Sequence, residues 1–185
     1  MLFHPTPLQG AWLIEAEPHQ DDRGWFARSF CEREFAAHGL QHRFVQHSRS
    51  FSKLAGTLRG VHFQSAPFEE EKLVSCVSGA IFDVIFDMRP ESPSYRQAFS
   101  AELSDTNGRQ LYIPKGVAHG FQALCDAVTV NYLISEFYAP EHAAGFRYDD
   151  PALGIEWPLP VTQISEKDLG WPPWEPTATK KHLDA

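Results

Sequence analysis

Apolar and polar positions alternate with a period of two through much of the chain. The runs Lys72–Ser78 and Phe82–Asp87 alternate in this way and are rich in β-branched and aromatic residues. Strands favour that pattern because successive side chains point to opposite faces. Gly79-Ala80 between the two runs reads as a hairpin turn. The same reasoning predicts strands at Gly56–Gln64, Ala98–Leu103, Gln110–Ile113, Gly120–Leu124 and Val128–Ser135. The clearest helix candidate is Cys31–His38, closed by Gly39 at its C′ position. Many short strands, little helix and frequent Pro and Gly predict an all-β sandwich or barrel. Towards the C-terminus the pattern changes: Asp149-Asp150-Pro151 and Trp157–Pro160 are turn-rich, and Trp171–Trp174 follow the polar Ser165–Asp168. This predicts a single domain over 1–185, with a core at about 20–160, an arm at about 161–176 packed on it, and a frayed end from Thr177.

Composition narrows the class. With 185 residues and 43% hydrophobic content the chain can bury one core and is not globally disordered. A formal charge of −8 argues against a nucleic-acid binder. The charge is unevenly spread, however. Residues 23–59 hold seven Arg/Lys and two acids, a net of about +5 that suits an anionic ligand. Cys31, Cys76 and Cys125 are odd in number, far apart and without a CxxC pair, so reduced thiols are expected. The N-terminus shows no signal-peptide pattern, and AIFDVIFDM is too short and too charged to span a bilayer. A cytoplasmic protein with no membrane partner is the expectation.

One motif points to an architecture. Gly108, five residues, Pro114-Lys115-Gly116, two residues, His119 resembles the second motif of the cupin superfamily. The resemblance implies a double-stranded β-helix, a jelly-roll barrel with a few short helices, and His119 pointing into it. The family's downstream Asn is replaced by Ala123. Where its first motif places two histidines and a Glu around a metal, this chain reads Gly60-Val61-His62-Phe63-Gln64, with Glu69, Glu70 and Glu71 following. Gln64 is a poor ligand for first-row transition metals, so no metal and no cofactor are expected. The alternative is a three-ligand site made from His62, His119 and one Glu.

A longer series narrows the resemblance. Asp22–Phe26, Arg59–Gln64, Glu71–Val74, Gly79–Arg89, Ile113–Phe121, Tyr132 to Pro140, Asp149–Trp157 and Ser165–Asp168 follow in an order similar to the dTDP-4-dehydrorhamnose 3,5-epimerase family. The likeness spans about residues 20–170. It implies a metal-free epimerase acting on a nucleotide-linked 4-keto-6-deoxy sugar, with a homodimer as the working form. The family's base matches His62, its acid Tyr132, its carbonyl-binding lysine Lys72, and the Asp that orients the base Asp168, with Asp149 or Asp150 as alternatives. Its diphosphate arginines match Arg23 and Arg59. Phe26 and Gln46 match nucleotide contacts, and His119 a pocket histidine.

The chemistry asks for these residue types. A proton beside a ketone is weakly acidic, so its removal needs a base and a charge that stabilises the enolate oxygen. A carboxylate fixes the tautomer of an imidazole base, and inversion requires a proton from the opposite face. Lys72 shares a strand face with Val74 and Cys76, an inward placement unusual for an unpaired lysine. Strict alternation sets Arg59 and His62 on opposite faces, which a bulge or a neighbouring subunit must resolve.

Three positions depart from the family pattern: Arg28 replaces an acid, Ser48 an Asn and Ala143 a Glu. Arg28 and Ser48 are carried as substrate-binding positions, and all three bear on which nucleotide or sugar is held. The rivals are a cupin 3,4-ketoisomerase of a nucleotide keto sugar, a metal-dependent cupin, and a non-catalytic sugar-binding cupin.

Overall fold

The computed structural model describes residues 1–175; the frayed end expected from Thr177, and residue 176 of the arm, lie outside them. Its strands are β1 (Leu2–Pro5), β2 (Trp12–Glu15), β3 (His19–Asp21), β4 (Gly24–Phe26), β5 (Gln46–Ser52), β6 (Leu58–Gln64) and β7 (Lys72–Ser78). They continue with β8 (Ala80–Asp87), β9 (Ala98–Ser104), β10 (Arg109–Ile113), β11 (Val117–Ala123), β12 (Val128–Ile134) and β13 (Ala143–Gly145). Two short α-helices, α1 (Glu32–Ala37) and α2 (Glu166–Leu169), complete the regular structure with two 3₁₀ turns. The chain is thus mostly β-sheet.

Two sheets carry the molecule. One runs β1-β2-β10-β7-β12-β5 and the other β13-β6-β11-β8-β9, while β3 and β4 form a separate ribbon. The largest core lies where the two sheets meet. Val74, Cys76, Leu111 and Val130 from the first pack with Ile81, Ile85, Leu103 and Phe121 from the second. Such a core follows from period-2 alternation, which delivers one apolar face per sheet. Helix α1 covers the outer side of the first sheet, where Phe35 packs with Ile14, Leu73 and Tyr112. That cover explains why β7 is apolar on both faces.

The hairpin expected at Gly79-Ala80 is not formed. Strand β7 pairs with β10 and β12, and β8 pairs with β9 and β11, so the chain changes sheet there. Gly79 has φ +79° and sits against the Cys125 Sγ and Val128, which leaves no room for a side chain at the corner. The helix lies where it was expected, with Gly39 at φ +69° just beyond it.

The C-terminal arm crosses back onto the second sheet. Leu58 N donates to Gln163 O at 2.8 Å, and the buried Gln122 amide exchanges two hydrogen bonds with Leu159. Further along, Trp174 is buried among Phe86, Tyr95 and Leu153. These contacts fix α2 over the mouth of the space between the sheets.

Candidate active site

A cavity of about 1140 Å³ opens between the sheets, larger than the usual small-molecule pocket of about 300–1,000 Å³. One wall comes from β6 and β11, the facing wall from β5, β7 and β12, and the arm closes one side.

On the first wall, Arg59 and His62 both line the cavity although they are three positions apart. The register explains this. His119 faces His62 and Phe121 faces Arg59, so one strand carries an extra residue over this stretch, a β-bulge. Gly60 sits at φ +134° inside the bulge, and a Cβ there would lie 2.5 Å from the Gly120 Cα. Only glycine lets the two backbones approach this closely.

His62 Nε2 lies 2.6 Å from Asp168 Oδ1, and Asp168 is almost completely buried. Asp168 is placed by α2, where Ser165 caps the helix by accepting from the Asp168 N–H at 3.1 Å. Burial pushes the Asp168 carboxyl up, but the hydrogen bond and charge of His62 and the Gly60 N–H outweigh it, and the net shift is downward. An ionised carboxylate can only accept, so Nε2 carries a proton, and in the neutral imidazole Nδ1 is the bare lone pair. Nδ1 has no hydrogen bond to the described residues. The Trp171 ring stands edge-on to His62 at 6.3 Å. Asp149 and Asp150 are occupied elsewhere: Asp149 pairs with Arg147, and Asp150 caps the 3₁₀ turn at Pro151–Leu153.

Tyr132 faces the cavity from the opposite sheet. Its hydroxyl is 3.1 Å from Ser50 Oγ, and burial pushes the phenol well above its ordinary value, so it holds its proton at neutral pH. Lys72 opens β7, with its ammonium 2.8 Å from Glu70 Oε1. His119 is buried, 2.7 Å from Asp83 Oδ1. Arg59 donates to Phe51 O at 2.9 Å, and Gln46 Oε1 accepts from the Tyr138 N–H. Ser48 and Ala143 also line the space.

The other three predicted binding residues are not brought in. Arg23, Phe26 and Arg28 lie outside the cavity of their own chain. Arg23 is 89% exposed and pairs with Asp21, Phe26 is 71% exposed on the β3–β4 ribbon, and Arg28 reaches Glu34 at 3.8 Å.

Gln64 has a different employment from a metal ligand. Its amide donates to Phe68 O and Phe137 O and accepts from the Ala139 N–H, tying together the two loops at the cavity rim. Among the described residues no cluster of three His, Cys, Asp or Glu side chains is arranged to hold a metal ion. Sequence reasoning missed Ser50, Lys167 and Trp171, and took up Glu70 only as one of three glutamates offered to the alternative metal site; all four line the cavity. Lys167 was adjacent to Asp168 in a motif already noticed, and its ammonium lies 5.4 Å from the Trp171 ring centre.

The arrangement is suited to proton transfer at a carbon held between two walls. Comparisons with known proteins agree in kind. The sequence profile of dTDP-4-dehydrorhamnose 3,5-epimerase matches residues 5–175. The chain is 46% identical to the dTDP-4-dehydrorhamnose 3,5-epimerase of Methanothermobacter thermautotrophicus over 92% of this chain and 93% of the relative. The Bacillus anthracis dTDP-4-dehydrorhamnose 3,5-epimerase, crystallised with TDP and PPi, superposes with a TM-score of 0.91 at 39% identity, covering 94% of this chain and 99% of the other. A Legionella pneumophila 3,5-epimerase in complex with dTDP-4-keto-L-rhamnose superposes with a TM-score of 0.87 at 38% identity, covering 93% and 92%. With sequence and fold in agreement, the chain belongs to the dTDP-4-dehydrorhamnose 3,5-epimerase family.

Proposed function

We propose that this protein inverts C3 and C5 of a dTDP-linked 4-keto-6-deoxyhexose, a step in making activated deoxysugars for polysaccharides. The observation that carries the reading is the His62–Asp168 pair on one wall with the protonated Tyr132 on the other. His62 Nδ1 takes the proton from the carbon beside the C4 carbonyl, and the electron pair moves into an enolate. The Lys72 ammonium stabilises the developing oxyanion. Tyr132 then gives its proton to the opposite face of the carbon, and both residues are reset by exchange with solvent. Each step is a proton transfer, so the stereocentre inverts without any net oxidation.

The diphosphate is assigned to Arg59 and, from a second copy of the chain, Arg23. The exposure of Trp25, Phe26 and Arg23 on a ribbon that pairs with neither main sheet among the described residues supports a homodimer that delivers them to a neighbouring cavity. Gln46, Ser48 and Phe26 are assigned to the nucleotide, and His119, held by Asp83, to the sugar. Arg28 accompanies Phe26 on the same exposed segment. We further assign the two facing sheets to the cupin double-stranded β-helix, as one domain with its arm, working in the cytoplasm without metal or other cofactor.

The test is His62→Ala. Solvent deuterium should no longer enter C3 or C5 of dTDP-4-keto-6-deoxyglucose, while dTDP still binds. Persisting exchange would show that another group is the base.

A further inference from the structure

The segment between β6 and β7 holds a carboxylate with one partner. Glu70 Oε1 lies 2.8 Å from the Lys72 ammonium, and the two side chains are only 6% and 13% exposed. The other oxygen, Oε2, is buried and without a hydrogen bond among the described residues. A buried carboxylate that satisfies one oxygen through a single ammonium is costly to keep, so the contact has to serve something other than its own stability.

The backbone around Glu70 is anchored on both sides. Before it, the Gln64 amide donates to Phe68 O at 2.8 Å; after it, Glu71 N donates to Ser135 Oγ at 2.8 Å, and Ser135 N returns a bond to Glu71 O. Lys72 by contrast carries its charge on a four-carbon stem with several rotamers. A fixed acceptor facing a flexible donor selects one position for the donor.

We propose that Glu70 is a positioning residue that holds the Lys72 ammonium against the cavity wall, so that its remaining N–H groups point at the enolate oxygen. Glu70 itself touches no reacting atom and acts through Lys72. The inference rests on the role given to Lys72 in the reading above.

A double-mutant cycle tests it, with kcat and KM measured on dTDP-4-keto-6-deoxyglucose for wild type, Glu70→Ala, Lys72→Met and the pair. Glu70→Ala should lower kcat about 10- to 100-fold, the scale of one lost contact between charged groups, with KM within about threefold. In the Lys72→Met background the same change should do nothing further. Glu70→Gln, which keeps an acceptor, should stay within about tenfold of wild type. Equal losses in both backgrounds, or a glutamine variant as slow as alanine, would overturn the proposal. Should Glu70→Ala not fold, Glu70→Asp, which withdraws the carboxylate by one methylene, enters the same cycle with the same expectations. Wild-type protein that exchanges no deuterium would instead overturn the epimerase reading, so the two failures are distinct.

Discussion

Asp168 and His62 are 106 positions apart in the chain, yet Oδ1 of one lies 2.6 Å from Nε2 of the other. The contact joins the C-terminal arm to the second sheet, so one hydrogen bond links folding of the arm to the state of the base. Asp168→Asn keeps the shape but lets the side chain donate as well as accept, which no longer fixes the tautomer with Nδ1 bare. Turnover should fall by about 10²–10⁴-fold while dTDP binding changes little. Steady-state kinetics beside calorimetric titration with dTDP reads both.

The same carboxylate makes stability depend on acidity. Its native pKa is depressed, so its contribution is complete above the ordinary Asp range near pH 4 and is lost as pH falls through the lower native value. Asp87 adds to this effect. Burial alone would raise it, but Arg89, Ser92 and Ser94 bring it to about 2. Thermal melts from pH 6 to pH 2.5 should show Tm falling mainly below pH 4, with a shallower fall in Asp168→Asn. A variant as steep as wild type would contradict the linkage.

Gly60→Ala should be among the most damaging single-atom additions. The new methyl would meet the Gly120 Cα at 2.5 Å, and φ +134° is unfavourable for any L side chain. A loss of about 2–4 kcal/mol is expected in urea unfolding. Arg59 and His62 should lose their common orientation, so that residual folded protein is inactive.

Tyr132→Phe separates the two half-reactions. Removal of the proton by His62 does not need the phenol, so deuterium should still enter from the base side with retention. Inverted product should fall by at least about 10²-fold. NMR of the recovered sugar distinguishes exchange from inversion.

Arg23 and His62 belong to different chains of one site in the homodimer reading. Arg23→Ala and His62→Ala are each expected to be nearly inactive. Mixed and reassembled, they should recover about a quarter of wild-type activity, because half the dimers are hybrid and each hybrid has one intact site. No recovery would place Arg23 and His62 in the same protomer's site.

Strand pairing and the cavity were not equally visible in the sequence. Strand β7 and most of β8 were readable because β-branched and aromatic residues dominate them and one face of each packs into the core between the sheets. Strand β5 was not, because Gln46, Ser48 and Ser50 face the cavity rather than the core, and an alternation of polar with polar carries no hydrophobic signal. At Gly79 the structure differs from the expected hairpin because local spacing cannot tell a hairpin from a change of sheet. Arg59 and His62 share a wall through a bulge at Gly60, a long-range register effect that single-strand periodicity does not contain. Glu70 was hidden in a run of three glutamates, of which only the packing of the loop distinguishes one.

The most direct test of proton transfer at the carbons flanking the carbonyl uses wild-type protein in D₂O with dTDP-4-keto-6-deoxyglucose, followed by proton NMR. The account predicts loss of the C3 and C5 proton signals together with couplings of the inverted product. A C4 carbonyl that moves to C3, or a substrate recovered with neither carbon labelled, would contradict it.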